Sequence, residues 1–375
     1  MTRSRRAGPF RVYYLVTDLE RGGAEKNLVA LATALRGEYE VHAGCLFAPG
    51  ASAAALRSAG IDVDCFGLAR WTDVPKVLAI ARRLAALEID LLHSFLFHAN
   101  LAGRLAGAIA GTPRVMGSVR VAEQRRWHLL ADGLTAALTD LETGTGEAIC
   151  RYTARRARVS PRKLAPVPIA IDPADYAEPA GAPHGGACRI LGVGRLHAQK
   201  RWEDTIDALA RIRDLAWTAR IAGGGPARAA LERRIVETGL AGRVELVGPR
   251  ERIHDEYRAS DLVVLSSAWE GMPNTVLEAM GHGLPVVATR VGATDELAAD
   301  GRTALLVPPR RPDLLARALG ELVGDPARRL ELGRAGRARA FASFGVEAMV
   351  AAHRDLYRSL LAGRSRTFPR WRPAP

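Results

Sequence analysis

Aromatic residues make up only 6% of the 375-residue sequence, and cysteine occurs four times. Those cysteines (Cys45, Cys65, Cys150 and Cys188) are scattered and form no C-x-x-C pair. That pattern argues against a disulfide scaffold or a zinc knuckle and fits reduced thiols in a cytoplasmic setting. No apolar run approaches the roughly 20 residues that a membrane-spanning helix requires. Residues 1–6 are basic, but the apolar stretch between them and Asp18 is short and strand-like. A first β-strand is expected there rather than a signal peptide. The dinucleotide fingerprint G-x-G-x-x-G is missing, which counts against an NAD enzyme. With no recognisable nucleic-acid motif and no aromatic stacking pattern, nucleic acid is not an expected partner.

What is present is an ordinary globular balance, 48% hydrophobic and 25% charged, at a length that predicts two domains. The net charge of +13 is spread along the chain, with local clusters at residues 3–6, 120–126, 151–163 and 364–372. Such clusters suit an anionic membrane surface, and equally the solvated faces of an arginine-rich protein. Charge alone decides little.

The most informative stretch is residues 266–289, SSAWEGMPNTVLEAMGHGLPVVAT. Residues 262–265 read as a short buried strand, 274–280 as a helix ended by Gly283 and Pro285, and 285–288 as a second strand. This is a βαβ unit with an acidic loop at the carboxyl end of its first strand, where open α/β sheets bind ligands. Backbone N–H groups at a helix start hold a phosphate or a developing anion, aided by the helix dipole. Glu270 on the loop and Glu278 in the helix are placed to accept from sugar and ribose hydroxyls. The plain alternative is a dipole-complementing acid plus a solvated helical glutamate.

Elsewhere, strands are expected at 10–16, 41–47, 61–66, 91–93 and 115–121, with helices at 27–35, 51–59 and 74–87 between them. Such alternation predicts a parallel, doubly wound sheet. A further strand is read at 134–138 and a helix from Gly146. In the second half, strands at 189–194, 219–225 and 244–249 precede the glutamate unit. Asp295 and Glu296 begin a later helix, and 346–361 forms a long amphipathic one. Asp62 and Asp64 fall on one face of a strand end, which admits a metal or an ordinary acidic edge. His93 and His98 flank a strand-to-helix turn and are candidate acceptor contacts, or else capping and core residues.

The run E-G-M-P-N-T-V-L-E-A-M followed by G-x-G-L-P-V-V-A-T resembles the E-x7-E signature of retaining glycosyltransferases, group 1, family 4. Those enzymes have the GT-B fold, an α/β architecture of two facing Rossmann-like doubly wound domains with an interdomain cleft. The resemblance implies an acceptor-binding domain over 1–178 and a nucleotide-sugar-binding domain over 179–345. Residues 346–375 would be a helix crossing back to the first domain plus a basic tail. The stretch G-V-G-R-L-H-A-Q-K-R-W is similar to the family's G-R-L…K segment, which implies Arg195 and Lys200 on the diphosphate, with Glu270 as the third catalytic residue. Donor contacts implied are Glu278 on the ribose, Met272, Pro273, Asn274 and Thr275 at the sugar and its phosphate, and Arg250 near the base. The L-x-R-G-G-A-E segment is similar to the family's first glycine loop, placing Gly22 and Gly23 against donor phosphate and sugar.

Two departures stand out. Arg120 occupies a position where many relatives have a histidine approaching the donor sugar, and the usual Asn-Gly before the linker is Ile169-Ala170. A guanidinium there suits an acidic donor or acceptor, or a structural pair with Glu123. The expected activity is sugar transfer from a nucleoside-diphosphate sugar to a glycan or lipid-linked acceptor, with no cofactor and no metal. The expected location is cytoplasmic, with an anionic membrane face as a further partner. A same-fold epimerase or phosphorylase, and a non-catalytic nucleotide-sugar binder, are the competing readings.

Overall fold

The computed structural model describes residues 8–20, 22–68, 73–176 and 186–363. The basic clusters at 3–6 and 364–372, and residues 177–185 of the expected linker, lie outside the described residues. Contacts divide the chain into two compact units. One runs to Ala170 and resumes at Val346, and the other runs from Ile171 to Gly345. The division after Ala170 precedes the 178/179 boundary expected from sequence. Tyr176 explains the difference: it is buried against His282 at 4.9 Å, and its carbonyl accepts from Arg337 at 2.7 Å.

The first unit holds seven parallel strands: β1 (Arg11–Val16), β2 (Glu40–Cys45), β3 (Asp62–Cys65), β4 (Leu91–Phe95), β5 (Arg114–Val119), β6 (Leu141–Gly144) and β7 (Leu164–Pro166). Their order is β3-β2-β1-β4-β5-β6-β7. Between them run helices α1 (Gly23–Leu35), α2 (Ala51–Ser58), α3 (Val74–Ala86), α4 (Phe97–Ala110), α5 (Arg126–Thr135) and α6 (Glu147–Arg156). Alternation along β1 buries both faces of the sheet, as parallel sheets require. Val12, Tyr14 and Val16 join one core with Leu28 and Leu31 of α1, whereas Tyr13 and Leu15 join another with Ile80 and Leu84 of α3.

One expected strand is overturned. Residues 134–138 complete α5 and a following 3-10 turn, Ala136–Leu138, and the true strand β6 begins at Leu141. Leu134 is 74% exposed, so the apolar run does not mark a buried strand. Asp62 and Asp64 do lie on β3, but Asp64 accepts from the Tyr13 hydroxyl at 2.9 Å and from Arg83 at 2.8 Å. Arg83 is the cation paired with Asp64.

The second unit has six parallel strands: β8 (Cys188–Val193), β9 (Trp217–Ala222), β10 (Val244–Gly248), β11 (Leu262–Leu265), β12 (Val286–Thr289) and β13 (Leu305–Val307). They are ordered β10-β9-β8-β11-β12-β13. Its helices are α7 (Trp202–Arg211), α8 (Arg228–Glu237), α9 (Ile253–Arg258), α10 (Asn274–Gly281), α11 (Thr294–Leu297), α12 (Pro312–Gly324) and α13 (Pro326–Ser343). The last helix, α14 (Val346–Leu361), adds Met349, Leu356, Tyr357 and Leu360 to the core of the first unit. Each sheet reverses its winding once, between β1 and β4 in the first unit and between β8 and β11 in the second. Those switch points open a crevice at the carboxyl ends of the strands, where ligands of such sheets bind.

Candidate active site

In the second unit the sequence-predicted cations and the first glutamate meet at the switch point. Arg195 and Lys200 follow β8, and Glu270 follows its sheet neighbour β11. Lys200 Nζ donates to Glu270 Oε1 at 2.6 Å, and both side chains are nearly buried. Ser267 donates to the same carboxylate oxygen at 2.6 Å. Exposed Arg195 is steadied through Gln199, which accepts from its Nη2 at 3.2 Å and donates to the carbonyl of Trp269 at 2.9 Å. The two loops are thereby tied across the crevice by side chains from both.

Three residues that sequence reasoning gave no role hold this arrangement. The Ser266 hydroxyl lies 2.8 Å from the carbonyl of Lys200 and 2.9 Å from that of Arg201, and Thr205 donates to it at 2.8 Å. Ser267 stands three residues before Glu270, near enough in the chain for the two side chains to meet. Gly292 takes a left-handed φ of +59°, and a β-carbon there would lie 2.2 Å from the carbonyl oxygen of Gly271 and 2.5 Å from that of Glu270. Only glycine permits that approach, which lets Ala293 N donate to Gly271 O at 2.7 Å.

Helix α10 starts at Asn274 after Pro273, with no side-chain cap on its first amides. Those N–H groups are the helix donors that an anion can satisfy. Met272 and Thr275 are buried, and Thr275 donates to the carbonyl of Val193 at 3.2 Å, fixing the helix start to β8. Glu278, one turn further on, accepts from the buried Tyr257 hydroxyl at 2.9 Å. Burial, then the Glu278 charge, raise the Tyr257 pKa well above its ordinary value, so the phenol remains a donor. Arg250 follows β10 and pairs with Glu256 at 3.0 Å, which Arg220 also engages at 2.7 Å.

The first-unit candidates separate. Gly22 caps α1 and Gly23 is its first residue, so the glycine loop and the helix start coincide. The buried Glu25 carboxylate folds back over them: a β-carbon on Gly22 would lie 2.2 Å from its Oε2. Burial raises the Glu25 pKa, and the nearby Arg120 charge opposes that rise. Arg120 directly follows β5. Its Nη2 is buried with no hydrogen-bond partner among the described residues, and burial lowers its pKa to about 10. The pair with Glu123 is not formed. Glu123 instead contacts His128 at 2.6 Å and the amides of Gln124 and Arg125. Ala170 at the departed Asn-Gly turn donates its N–H to Asn27 of α1 at 2.7 Å, so the altered turn is still anchored.

Of the two readings of His93, acceptor contact or core residue, the structure supports the core one. His93 is fully buried, with Nδ1 2.6 Å from the Tyr357 hydroxyl and Nε2 2.9 Å from Ser118 Oγ. Both nitrogens are used within the fold, and burial lowers its pKa well below the ordinary value. His98 differs: it is half-buried on the first turn of α4, edge-on to Phe47 and His128. It alone of the two histidines borders the first unit's switch point with an accessible ring.

Residues 187–325 match the family model described as "Glycosyl transferases group 1". Among curated proteins, the chain is similar to 2-deoxystreptamine glucosyltransferase of Streptomyces kanamyceticus, 31% identical over 236 residues, 59% of each chain. It is also similar to the lipopolysaccharide core biosynthesis mannosyltransferase LpsB of Rhizobium meliloti, 35% identical over 177 residues, 45% of this chain and 50% of that one. The matched part thus spans about half to three-fifths of those relatives' length. Among solved structures, Anabaena HepE in complex with UDP-glucose superposes with a TM-score of 0.83 at 23% identity, covering 93% of this chain and 99% of that one. Sucrose-phosphate synthase from Thermosynechococcus elongatus gives a TM-score of 0.76 at 20% identity, over 94% of this chain and 100% of that one. Residues 187–325 therefore resemble a glycosyl transferases group 1 domain, within a chain whose two Rossmann-like units have the GT-B fold.

Proposed function

We propose that the protein is a retaining glycosyltransferase of family 4, moving a sugar from a nucleoside-diphosphate sugar to a hydroxyl of a glycan or lipid-linked acceptor. The observation that carries this is the Lys200–Glu270 contact across the second unit's switch point, with Arg195 and the uncapped start of α10 beside it. Departure of a nucleoside diphosphate builds negative charge on the β-phosphate. Fixed cations and helix amides stabilise that charge more in the transition state than in the ground state. In this reading Arg195 and Lys200 hold the diphosphate, and the amides of Met272 to Thr275 lie against the sugar-bearing phosphate. Glu270 orients the sugar and Glu278 the ribose.

Retention follows if the acceptor oxygen attacks C1 on the face that the phosphate leaves. The C1–phosphate oxygen bond breaks as the new glycosidic bond forms, and the acceptor proton passes to the departing phosphate oxygen. No carboxylate pair of the glycosidase type is then required. The reading requires neither a metal nor a cofactor. In the first unit, Gly22 and Gly23 are proposed sugar-phosphate contacts, and His98 and Arg120 proposed acceptor contacts. The relatives support a nucleotide sugar and an envelope glycan: HepE was solved with UDP and with UDP-glucose, and LpsB is a lipopolysaccharide core biosynthesis mannosyltransferase. We assign the reaction to the cytoplasm and to surface polysaccharide or glycolipid biosynthesis.

The test is a thermal-shift panel of UDP, GDP, ADP and TDP with their sugars, followed by NMR of the product's anomeric configuration. One nucleotide should raise the melting temperature at sub-millimolar concentration. Lys200→Ala should mainly lower turnover, by roughly 10²–10³, a larger loss than its effect on nucleotide affinity. Glu278→Ala and Glu278→Gln should instead weaken nucleotide binding, by about tenfold for one lost charged hydrogen bond. Equal activity in the Lys200 and Glu278 variants would remove these assignments, and donor binding without transfer would replace the enzyme with a binding module.

A further inference from the structure

Arg126 and the pair Arg156 and Arg158, from two basic clusters separate in sequence, are brought to one face where α5 packs on the end of α6. Gly133 of α5 approaches the end of α6 so closely that a β-carbon on it would lie 2.3 Å from the carbonyl oxygen of Ala157. Helix α5 also wears its pattern inside out. Its buried residues are His128, Leu129 and Asp132, and Asp132 is ion-paired at 2.9 Å with the fully buried Arg104. Its outward residues are Trp127, Leu130 and Leu134, exposed by 43%, 63% and 74%. Spacings of three and four residues place them in one stripe, which Leu138 extends at 39% exposure. An open cavity of about 750 Å³ runs beside the stripe, lined by Arg126, Trp127, Leu130, Leu134, Arg156 and Arg158 among others, and by no carboxylate. An exposed apolar stripe of this kind, bordered by arginines, is a candidate interaction surface.

We propose that this face of the first unit docks on an anionic phospholipid bilayer. Trp127, Leu130 and Leu134 enter the boundary between headgroups and acyl chains, while Arg126, Arg156 and Arg158 lie on lipid phosphates. Charge decides the occupant. An apolar stripe with a tryptophan at one end and arginines along its border has the composition of an interfacial helix. A nucleic acid supplies phosphates but leaves the leucines facing charge, and an apolar protein groove leaves the arginines without anions. The inference goes beyond glycosyl transfer, and its test does not depend on the donor chemistry.

The experiment is co-sedimentation of the full chain with large vesicles of phosphatidylcholine alone or mixed with phosphatidylglycerol at 70:30. Binding is expected to the mixed vesicles, to be weak on the neutral ones, and to fall with added salt. Leu130→Ser with Leu134→Ser should lower partitioning by about tenfold. Arg126→Gln, Arg156→Gln and Arg158→Gln should each lower it by roughly fivefold, the equivalent of about 1 kcal/mol per arginine. All five positions are on the surface, so circular dichroism and melting temperature should match the parent. Leu330→Ser, at a 41% exposed leucine on α13, is the control and should bind as the parent does. Unchanged binding by the leucine pair would overturn the proposal and shift any lipid affinity to the basic segments 3–6 and 364–372. Equal binding to neutral vesicles would also overturn it. So would a dimer that the leucine pair breaks without vesicle binding, which would make the occupant a second copy of the chain.

Discussion

At the scale of single residues, the least expected chemistry is buried charge. Arg104 is fully buried and reaches Asp132 at 2.9 Å and Glu142 at 2.8 Å. Breaking such a pair leaves an uncompensated charge in a medium that solvates it poorly. Burial outweighs the attraction of Arg104 and raises the Glu142 pKa to about 7 from an ordinary 4.5. The sign of its effect on stability follows. Between pH 4.5 and about 7 the folded state holds a proton that the unfolded state has released, so stability falls as pH rises through that window. Glu142→Gln removes this titration. Urea denaturation at pH 4.5, 5.5 and 7 should show the parent losing stability relative to the variant as pH rises, and parallel curves would show the carboxylate to be ionised throughout. Sequence periodicity carries no trace of this triad, because its members are 38 residues apart at the widest and look like surface charges one at a time.

At the scale of elements, the βαβ unit from β11 to β12 was legible almost residue for residue: Leu262–Leu265, Asn274–Gly281 and Val286–Thr289. A short apolar run, a Gly-Met-Pro turn and a glycine-proline stop each have a local cause, so neighbours in sequence suffice to read them. Residues 134–138, at the end of α5 and in the turn after it, read as a strand in sequence because the outward stripe there is apolar, which reverses the usual relation between pattern and burial. Gly292 is the element-scale residue with the clearest consequence. Gly292→Ala forces a left-handed backbone on a residue with a β-carbon and drives that carbon into the carbonyls of Glu270 and Gly271. A loss of about 1–3 kcal/mol is expected, measured by denaturant unfolding. Displacement of the Glu270 loop should also lower sugar transfer more than nucleotide affinity. An alanine variant of unchanged stability and activity would mean that the loop yields freely.

At the scale of the whole molecule, α14 is the element whose allegiance connectivity hides. It follows the second unit directly after Gly345, yet it belongs with the first. Its Tyr357 hydroxyl lies 2.6 Å from His93 and 3.2 Å from that of Tyr14, and its Arg354 and Arg358 pair with Glu38 at 2.6 and 3.2 Å. Ending the chain at Gly345 should therefore expose the apolar face of α1 and β1 and unfold the first unit while the second survives. Hydrogen exchange would read this as lost protection over residues 11–35 with retained protection over 188–289. Equal loss in both units would show that the two fold as one.

The sequence by itself determined the α/β alternation, the parallel sheets and the glutamate unit, whereas Arg195, Lys200, Glu270 and Glu278 stand as a set only through the family resemblance. The first three depend on local spacing: period-two strands, helix stops and loops at the carboxyl ends of strands. Tertiary structure decided which of the candidates meet. Lys200 reaches Glu270 only because β8 and β11 are sheet neighbours. His93 becomes a core hydrogen-bond partner because α14 returns to cover it. The α5 and α6 arginines become one surface because Gly133 admits the backbone of the neighbouring helix. Contacts between residues far apart in the chain are set by strand order and close packing, and neither is written in the spacing of any single segment.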